Sequence, residues 1–210
     1  MRTTILLLMF FPLGLFGQAI GMDVGSSISK YDYKNSQGIS LDVLEQDPGI
    51  SIGIFKYYNS NRNENYSFKV GLRYQEMNAK AFENTVPITY QSSYLSLSGV
   101  FEYPMFTIYT DNYCTKCNFI STVVYLGGEA AHILEGSQTL LNESYNLTKE
   151  REFNGLFFGP QLGIGLRFNM GGELSMALDY AQTYYFNSHQ KPERLNFKRS
   201  LLTIGLIKGL

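Results

Sequence analysis

Strict alternation of apolar with small or polar residues, repeated in eight separate segments, constrains this chain more than any other feature. Successive side chains of a β-strand point to opposite faces, so a period of two marks strands with one apolar face. Near the C-terminus Leu202, Ile204, Leu206 and Leu210 alternate with Thr203, Gly205 and Gly209. Before them Leu174, Met176, Leu178 and Tyr180 stand against Glu173, Ser175, Ala177 and Asp179, and Pro160, Leu162, Ile164, Leu166 and Phe168 against Gly159, Gln161, Gly163, Gly165 and Arg167. The same code runs through 93–104 (Leu95, Leu97, Phe101 and Tyr103 against Ser96, Ser98 and Glu102) and 66–77 (Phe68, Val70, Leu72 and Tyr74 against Lys69, Gly71, Arg73 and Gln75). It returns in 49–58 (Ile50, Ile52 and Ile54 against Ser51 and Gly53) and 20–29 (Met22, Val24 and Ile28 against Asp23, Gly25, Ser27 and Ser29). In 121–134 it is weaker, with Val124, Leu126, Ala130 and Leu134 against Tyr125, Gly127, Glu129 and Ala131.

The placement of charge decides what such strands enclose. Asp23, Lys69, Arg73, Glu102, Glu129, Arg167, Glu173 and Asp179 all fall on the face that carries the small residues. A secreted barrel of lipocalin type needs the reverse, an apolar lumen and a polar exterior, and this chain also lacks the Trp such proteins carry near their start. Beyond the N-terminus no apolar run approaches the roughly 20 residues a membrane helix needs. The pattern therefore predicts an all-β, eight-stranded antiparallel up-and-down transmembrane β-barrel with its apolar face in lipid. Composition agrees: 16 Tyr, 15 Phe and 20 Gly supply strand and turn formers, and 17% charged residues is below the quarter usual for soluble domains. A formal net charge of -1 gives no footing for nucleic acid.

The ends and connections fit the same expectation. Arg2, the apolar run Ile5 to Phe16 and the small residues Gly17 and Ala19 predict a secretory signal peptide over 1–19, cleaved after Gly17 or Ala19, with the barrel domain over 20–210. If the first strand rises from the periplasm, the outer connections fall at about 30–48, 78–92, 135–152 and 188–197, which are long and polar. The inner ones fall at 59–65, 105–119 and 169–172, and only the middle one is overlong. Tyr58, Tyr103 and Phe168 then end descending strands and Tyr74 and Tyr184 end ascending ones, as two aromatic girdles would. Lys56 and Lys208 fall on the apolar face near the inner boundary, where a lysine can snorkel to water.

The leader ending Phe-Gly-Gln, the strand Gly71-Leu72-Arg73-Tyr74-Gln75, the segment Tyr94-Leu95-Ser96-Leu97 and the run from Gly159 to Gly165 together resemble the outer-membrane β-barrel family of Bacteroidota often labelled PorT-like. The resemblance spans the mature chain and rests on patterning. It implies a barrel in the cell outer membrane of a Gram-negative bacterium, and its members range from uncharacterised barrels to subunits of secretion machinery.

Eight strands leave an interior just filled by side chains, so the inward charges are expected to pair across the lumen, with Gly127, Gly163, Gly165 and Gly205 leaving them room. A narrow pore or proton path is the competing use of the same residues. Cys114-Thr-Lys-Cys117, the only cysteine pair, lies in the overlong inner turn. In an exported protein it suits a local disulfide, while a catalytic dithiol lacks its βαβ context and two thiols make half a zinc site. His132 faces lipid near the outer boundary, with Glu135 and Ser137 following, which keeps an outer-leaflet lipid-modifying enzyme as the alternative. The favoured reading is non-enzymatic, without cofactor or metal, in contact with outer-membrane lipid and with a protein partner at turn 105–119 or the outer loops.

Overall fold

The computed structural model describes residues 19–34, 44–59, 66–83, 86–109, 119–140, 143–150, 153–170, 173–188 and 194–209. The leader up to Gln18, Cys114 and Cys117 lie outside the described residues. Ten strands follow in chain order: β1 (Ala19–Lys34), β2 (Glu45–Asn59), β3 (Ser67–Glu76), β4 (Asn78–Glu83), β5 (Val86–Tyr109), β6 (Phe119–Leu140), β7 (Glu143–Asn146), β8 (Leu156–Asn169), β9 (Leu174–Asn187) and β10 (Arg194–Gly209). β3 and β4 make one wall, because both pair with β5 in a single unbroken register and the Met77 amide between them donates to the Ser92 carbonyl at 2.8 Å. β7 folds back on the end of β6 alone. Eight antiparallel walls remain, and β1 closes the ring by pairing with both β2 and β10.

Register fixes the shape of the ring. From Met22, directly opposed residues run through Ile54, Leu72, Leu97, Ala130, Phe158, Phe186 and Asn196, and return to β1 at Asp32, ten residues beyond the start. Eight strands with that stagger must tilt about 40° from the barrel axis, so each residue climbs about 2.5 Å along it. The even strand number returns the C-terminal strand beside β1, and Ala19 faces Gly209 at one mouth.

Several strands outrun their expected ends. The connection expected over 78–92 is occupied by β4 and the start of β5, and β6 continues to Leu140 before β7 and a short 3-10 turn at Leu147–Lys149. β1 extends to Lys34, β2 begins at Glu45, and β10 begins at Arg194. At the opposite mouth β5 reaches Tyr109 and β6 starts at Phe119, so much of the overlong inner turn is strand. The physical reason is visible at Asn78, Lys80 and Gln91. Past the apolar band the outward residues turn polar, the hydropathic contrast disappears, and the hydrogen-bond ladder continues without it.

The core changes character along the axis. Over most of the barrel the outward residues are apolar and exposed, such as Met22, Val24, Ile52, Ile54, Leu126, Leu162 and Ile204, while the inward ones mix charged and polar groups with apolar fillers, among them the buried cluster Val100, Tyr125, Ala181 and Leu201. Toward the mouth far from the termini the arrangement inverts. Tyr31, Met77, Tyr94, Ile133, Phe157, Tyr185, Leu195 and Phe197 pack inward as one buried cluster, with ring centroids of Phe157 and Phe197 4.9 Å apart and of Tyr185 and Phe197 4.6 Å apart. Asp32, Asn78, Lys80 and Lys198 face outward at that end.

Closure between the first and last walls is directly testable. Val24 and Ile204 oppose each other on the outward face, so V24C/I204C, with Cys114 and Cys117 changed to Ser, should form an oxidant-dependent cross-link in the folded protein. Gel mobility should show no cross-link for V24C/K208C, which is four residues out of register. Equal cross-linking of the two pairs would contradict the assigned register.

Candidate functional site

Alternation brings one side chain in two into a lumen only wide enough to be filled. Four cations and four anions among the described residues meet there, so the formal charge cancels. They sort into three tiers.

Nearest the termini, Arg167 of β8 reaches Asp179 at 2.6 Å and Glu102 at 2.7 Å, one carboxylate on each side of its guanidinium. Lys69 completes the group at 3.7 Å from Asp179 and 4.0 Å from Glu102, with its ammonium 4.0 Å from the centre of the Phe55 ring. Tyr57 donates to Glu102 at 3.2 Å. In the middle tier Arg73 donates to Asp23 at 2.7 Å and to Ser51 at 2.9 Å. The third tier lies under the aromatic cluster. Arg199 grips both oxygens of Glu129, at 2.9 and 2.6 Å, and also donates to Thr183 at 2.8 Å and to Gln75. Gln75 in turn donates to Glu129 at 3.2 Å and to Tyr185 at 3.1 Å.

Glycines make room for these pairs. A Cβ on Gly53 would sit 2.6 Å from Asp23 Oδ1 and 2.8 Å from Arg73 Nη2, and one on Gly165 would run into Asp179 Oδ1. Of the glycines singled out from sequence, Gly163 is covered by the Tyr125 ring, while Gly127 lies tight against the Gly99–Val100 backbone. Between the lower tiers a void of about 20 Å³ is bordered by Asp23, Lys69, Arg73, Tyr125, Gln161 and Asp179. Asp23 Oδ1 and Gln161 Oε1 are buried there without a protein donor, and the space suits one water molecule.

The structure thus gathers Asp23, Lys69, Arg73, Glu102, Glu129, Arg167 and Asp179 in the lumen, and corrects the placement of Glu173. That residue precedes β9 in a turn, is exposed, and has a left-handed backbone with φ 71°. Its carbonyl accepts from the Gly209 amide at 2.8 Å, so it belongs to the mouth beside the termini. Arg199, which sequence reasoning missed, is the most deeply buried cation, with no exposed surface. The signal was present: the inward parity of Thr203 and Gly205, carried back four residues, reaches Arg199.

The outer surface holds the remaining candidates. Tyr58, Tyr103 and Phe168 lie toward the mouth with the termini, and Tyr74 and Tyr184 lie higher on their strands. His132 faces outward, exposed, and its Nδ1 lies 3.3 Å from the Gly155 carbonyl. Among the described residues no hydroxyl or carboxylate lies within hydrogen-bond reach of His132, and no group of acids, histidines or cysteines is arranged to hold a metal ion.

No family model matches the sequence, and no curated protein matches it either. Similar solved structures include Ail, the attachment invasion locus protein of Yersinia pestis, at 14% identity over 91% of this chain and 99% of that one, with a TM-score of 0.43. The outer membrane protein OprG of Pseudomonas aeruginosa is similar at 11% identity over 91% and 96%, with a TM-score of 0.48. The outer membrane enzyme PagL is similar at 13% identity over 90% and 99%, with a TM-score of 0.40. The neighbours therefore include an enzyme as well as proteins not described as enzymes, and the role of this chain rests on its own residues.

Removing one member of a buried ion pair strands the other charge. Arg199→Leu should therefore cost about 3–5 kcal/mol in urea unfolding from lipid vesicles, whereas Arg199→Leu with Glu129→Leu should recover most of that loss. A double variant no more stable than the single one would show that the pair is not the unit that matters.

Proposed function

We propose that this chain is an integral protein of the outer membrane with a structural or interaction role, acting at its mouths and not through its lumen. The observation that carries this reading is the inside-out polarity of the barrel: an apolar outer band around a lumen filled by mutually neutralised charges. Among sheets, only a closed one satisfies every backbone group in hydrocarbon, and an apolar coat of this kind is stable only there. The mouth with the termini faces the periplasm in this reading. The resemblance in patterning to the PorT-like family favours a place in an envelope assembly.

In this reading a protein partner docks on the periplasmic hairpin of β5 and β6. β5 continues through Tyr103–Tyr109 beyond its last pairing with β3 at Glu102, so that one edge of this stretch has no strand partner among the described residues. Met105, Phe106 and Ile108 are exposed on it, at 52%, 67% and 66%. An unpaired edge bearing large apolar side chains is a template for a strand of another chain.

Two measurements test the proposal. In planar bilayers the purified protein should show no stable single-channel conductance, and steady unitary currents would replace the plug by a pore. A photo-cross-linking residue at Ile108 should capture a protein in intact outer membranes, while one at Leu126 in the apolar band should capture none. Equal outcomes at the two positions would remove the case for a partner at the periplasmic hairpin.

A further inference from the structure

On the outward face of β10 two lysines, Lys198 and Lys208, stand ten residues apart, with Ser200, Leu202, Ile204 and Leu206 between them. At the tilt set by the register those ten residues climb about 25 Å, the height of the apolar band of such a barrel. Lys208 therefore marks the inner boundary and Lys198 the outer one. Lys198 is also the register partner of Lys30 on β1, and both are exposed. Directly opposed side chains start about 5 Å apart, and like charges so placed repel. Among the described residues neither lysine has an acid within ion-pair distance. Asp32, the next outward residue on β1, faces Asn196.

A second observation lies just below, toward the middle of the band. Ser200 opposes Gln182, and Gln182 donates to the Tyr180 hydroxyl at 2.8 Å, which lies 3.5 Å from Ser200 Oγ. These groups form a polar ladder on a surface otherwise made of Ile28, Leu178 and Leu202. A carboxamide has two N–H donors and an acceptor oxygen, and only one of its bonds is made here. Facing hydrocarbon, the rest would go unsatisfied at considerable cost.

We propose that Lys30 and Lys198 clasp the phosphate of an outer-leaflet lipid, whose ester, amide or hydroxyl groups run down over Ser200, Gln182 and Tyr180. The phosphate relieves the repulsion of the two ammoniums, and the polar linkages beneath a lipid headgroup lie at the depth of the ladder. A soluble anion would use the lysines alone, because the ladder lies beneath the membrane surface. The site rests on the outer-membrane reading given above.

The test uses the full mature chain inserted into phosphatidylcholine vesicles containing a fifth of either phosphorylated lipid A or the same lipid A with its phosphates removed. Heat-dependent gel mobility reports insertion, and native mass spectrometry after mild extraction reports retained lipid. Wild type should retain the phosphorylated lipid at least tenfold more than the dephosphorylated one. The K30Q/K198Q variant should lose that preference, and K208Q at the other boundary should keep it. Q182L should weaken retention of both lipids several-fold without removing the preference. Equal retention of the two lipids by inserted wild type, or an undiminished preference in K30Q/K198Q, would overturn the site and leave the membrane reading standing. Failure of wild type to insert in either vesicle would overturn both.

Discussion

Everything in this molecule depends on the closure of one hydrogen-bonded ring. A β-sheet with two free edges cannot lie in hydrocarbon, since each unpaired amide or carbonyl costs several kcal/mol there. Pairing of β1 with β10 removes both edges at once, and a ten-residue stagger over eight walls sets tilt and radius together. Once the ring is closed, parity assigns every side chain to lumen or lipid, and a slip of one residue would exchange the two sets. The charges could then sit nowhere except where they find one another.

The lumen shows how that constraint is met. Eight ionised groups in a space this narrow could not be held singly, because desolvation of an isolated charge exceeds anything packing returns. Arg167 between two carboxylates, Arg73 on Asp23 and Arg199 on Glu129 each neutralise a neighbour from a different strand. Gly53 and Gly165 have no side chain because the partner's head group occupies that volume. The pairs therefore also report register. A strand displaced by two residues keeps its faces but loses its partner, so the ion pairs discriminate among registers that hydropathy alone treats as equal.

How much was legible in the sequence follows from where the contrast between faces is strong. Within the apolar band the alternation of Ile50, Ile52 and Ile54 with Ser51 and Gly53 fixes both strand and orientation, and the eight walls follow. Outside it the signal fades. Asn78, Lys80 and Gln91 face water around a buried Met77 and Ala79, so the stretch looks like loop although it is ladder. Arg199 escaped because its outward neighbours Lys198 and Ser200 are polar, which hides an inward arginine among hydrophilic residues. Glu173 had the right parity and the wrong place, because parity holds only while the backbone is extended, and at Glu173 it turns left-handed. The contacts of Tyr103–Tyr109 depend on where β3 stops, which no local pattern encodes.

The inversion of the core along the axis has a mechanical consequence. Below the aromatic cluster the wall is greasy outside and carries its ion pairs inside; at the level of the cluster the inside is oily and Asp32, Asn78, Lys80 and Lys198 join the outward face. The molecule therefore carries its own waterline. Sinking by one turn of side chains would submerge Lys30, Lys198 and Asn78, while rising would lift Ile28 and Ile50 out of oil and draw Lys208 into it, so displacement either way meets a restoring force. The barrel is moored in depth as firmly as it is closed in circumference, and whatever its rims display is presented at a fixed height above and below the bilayer.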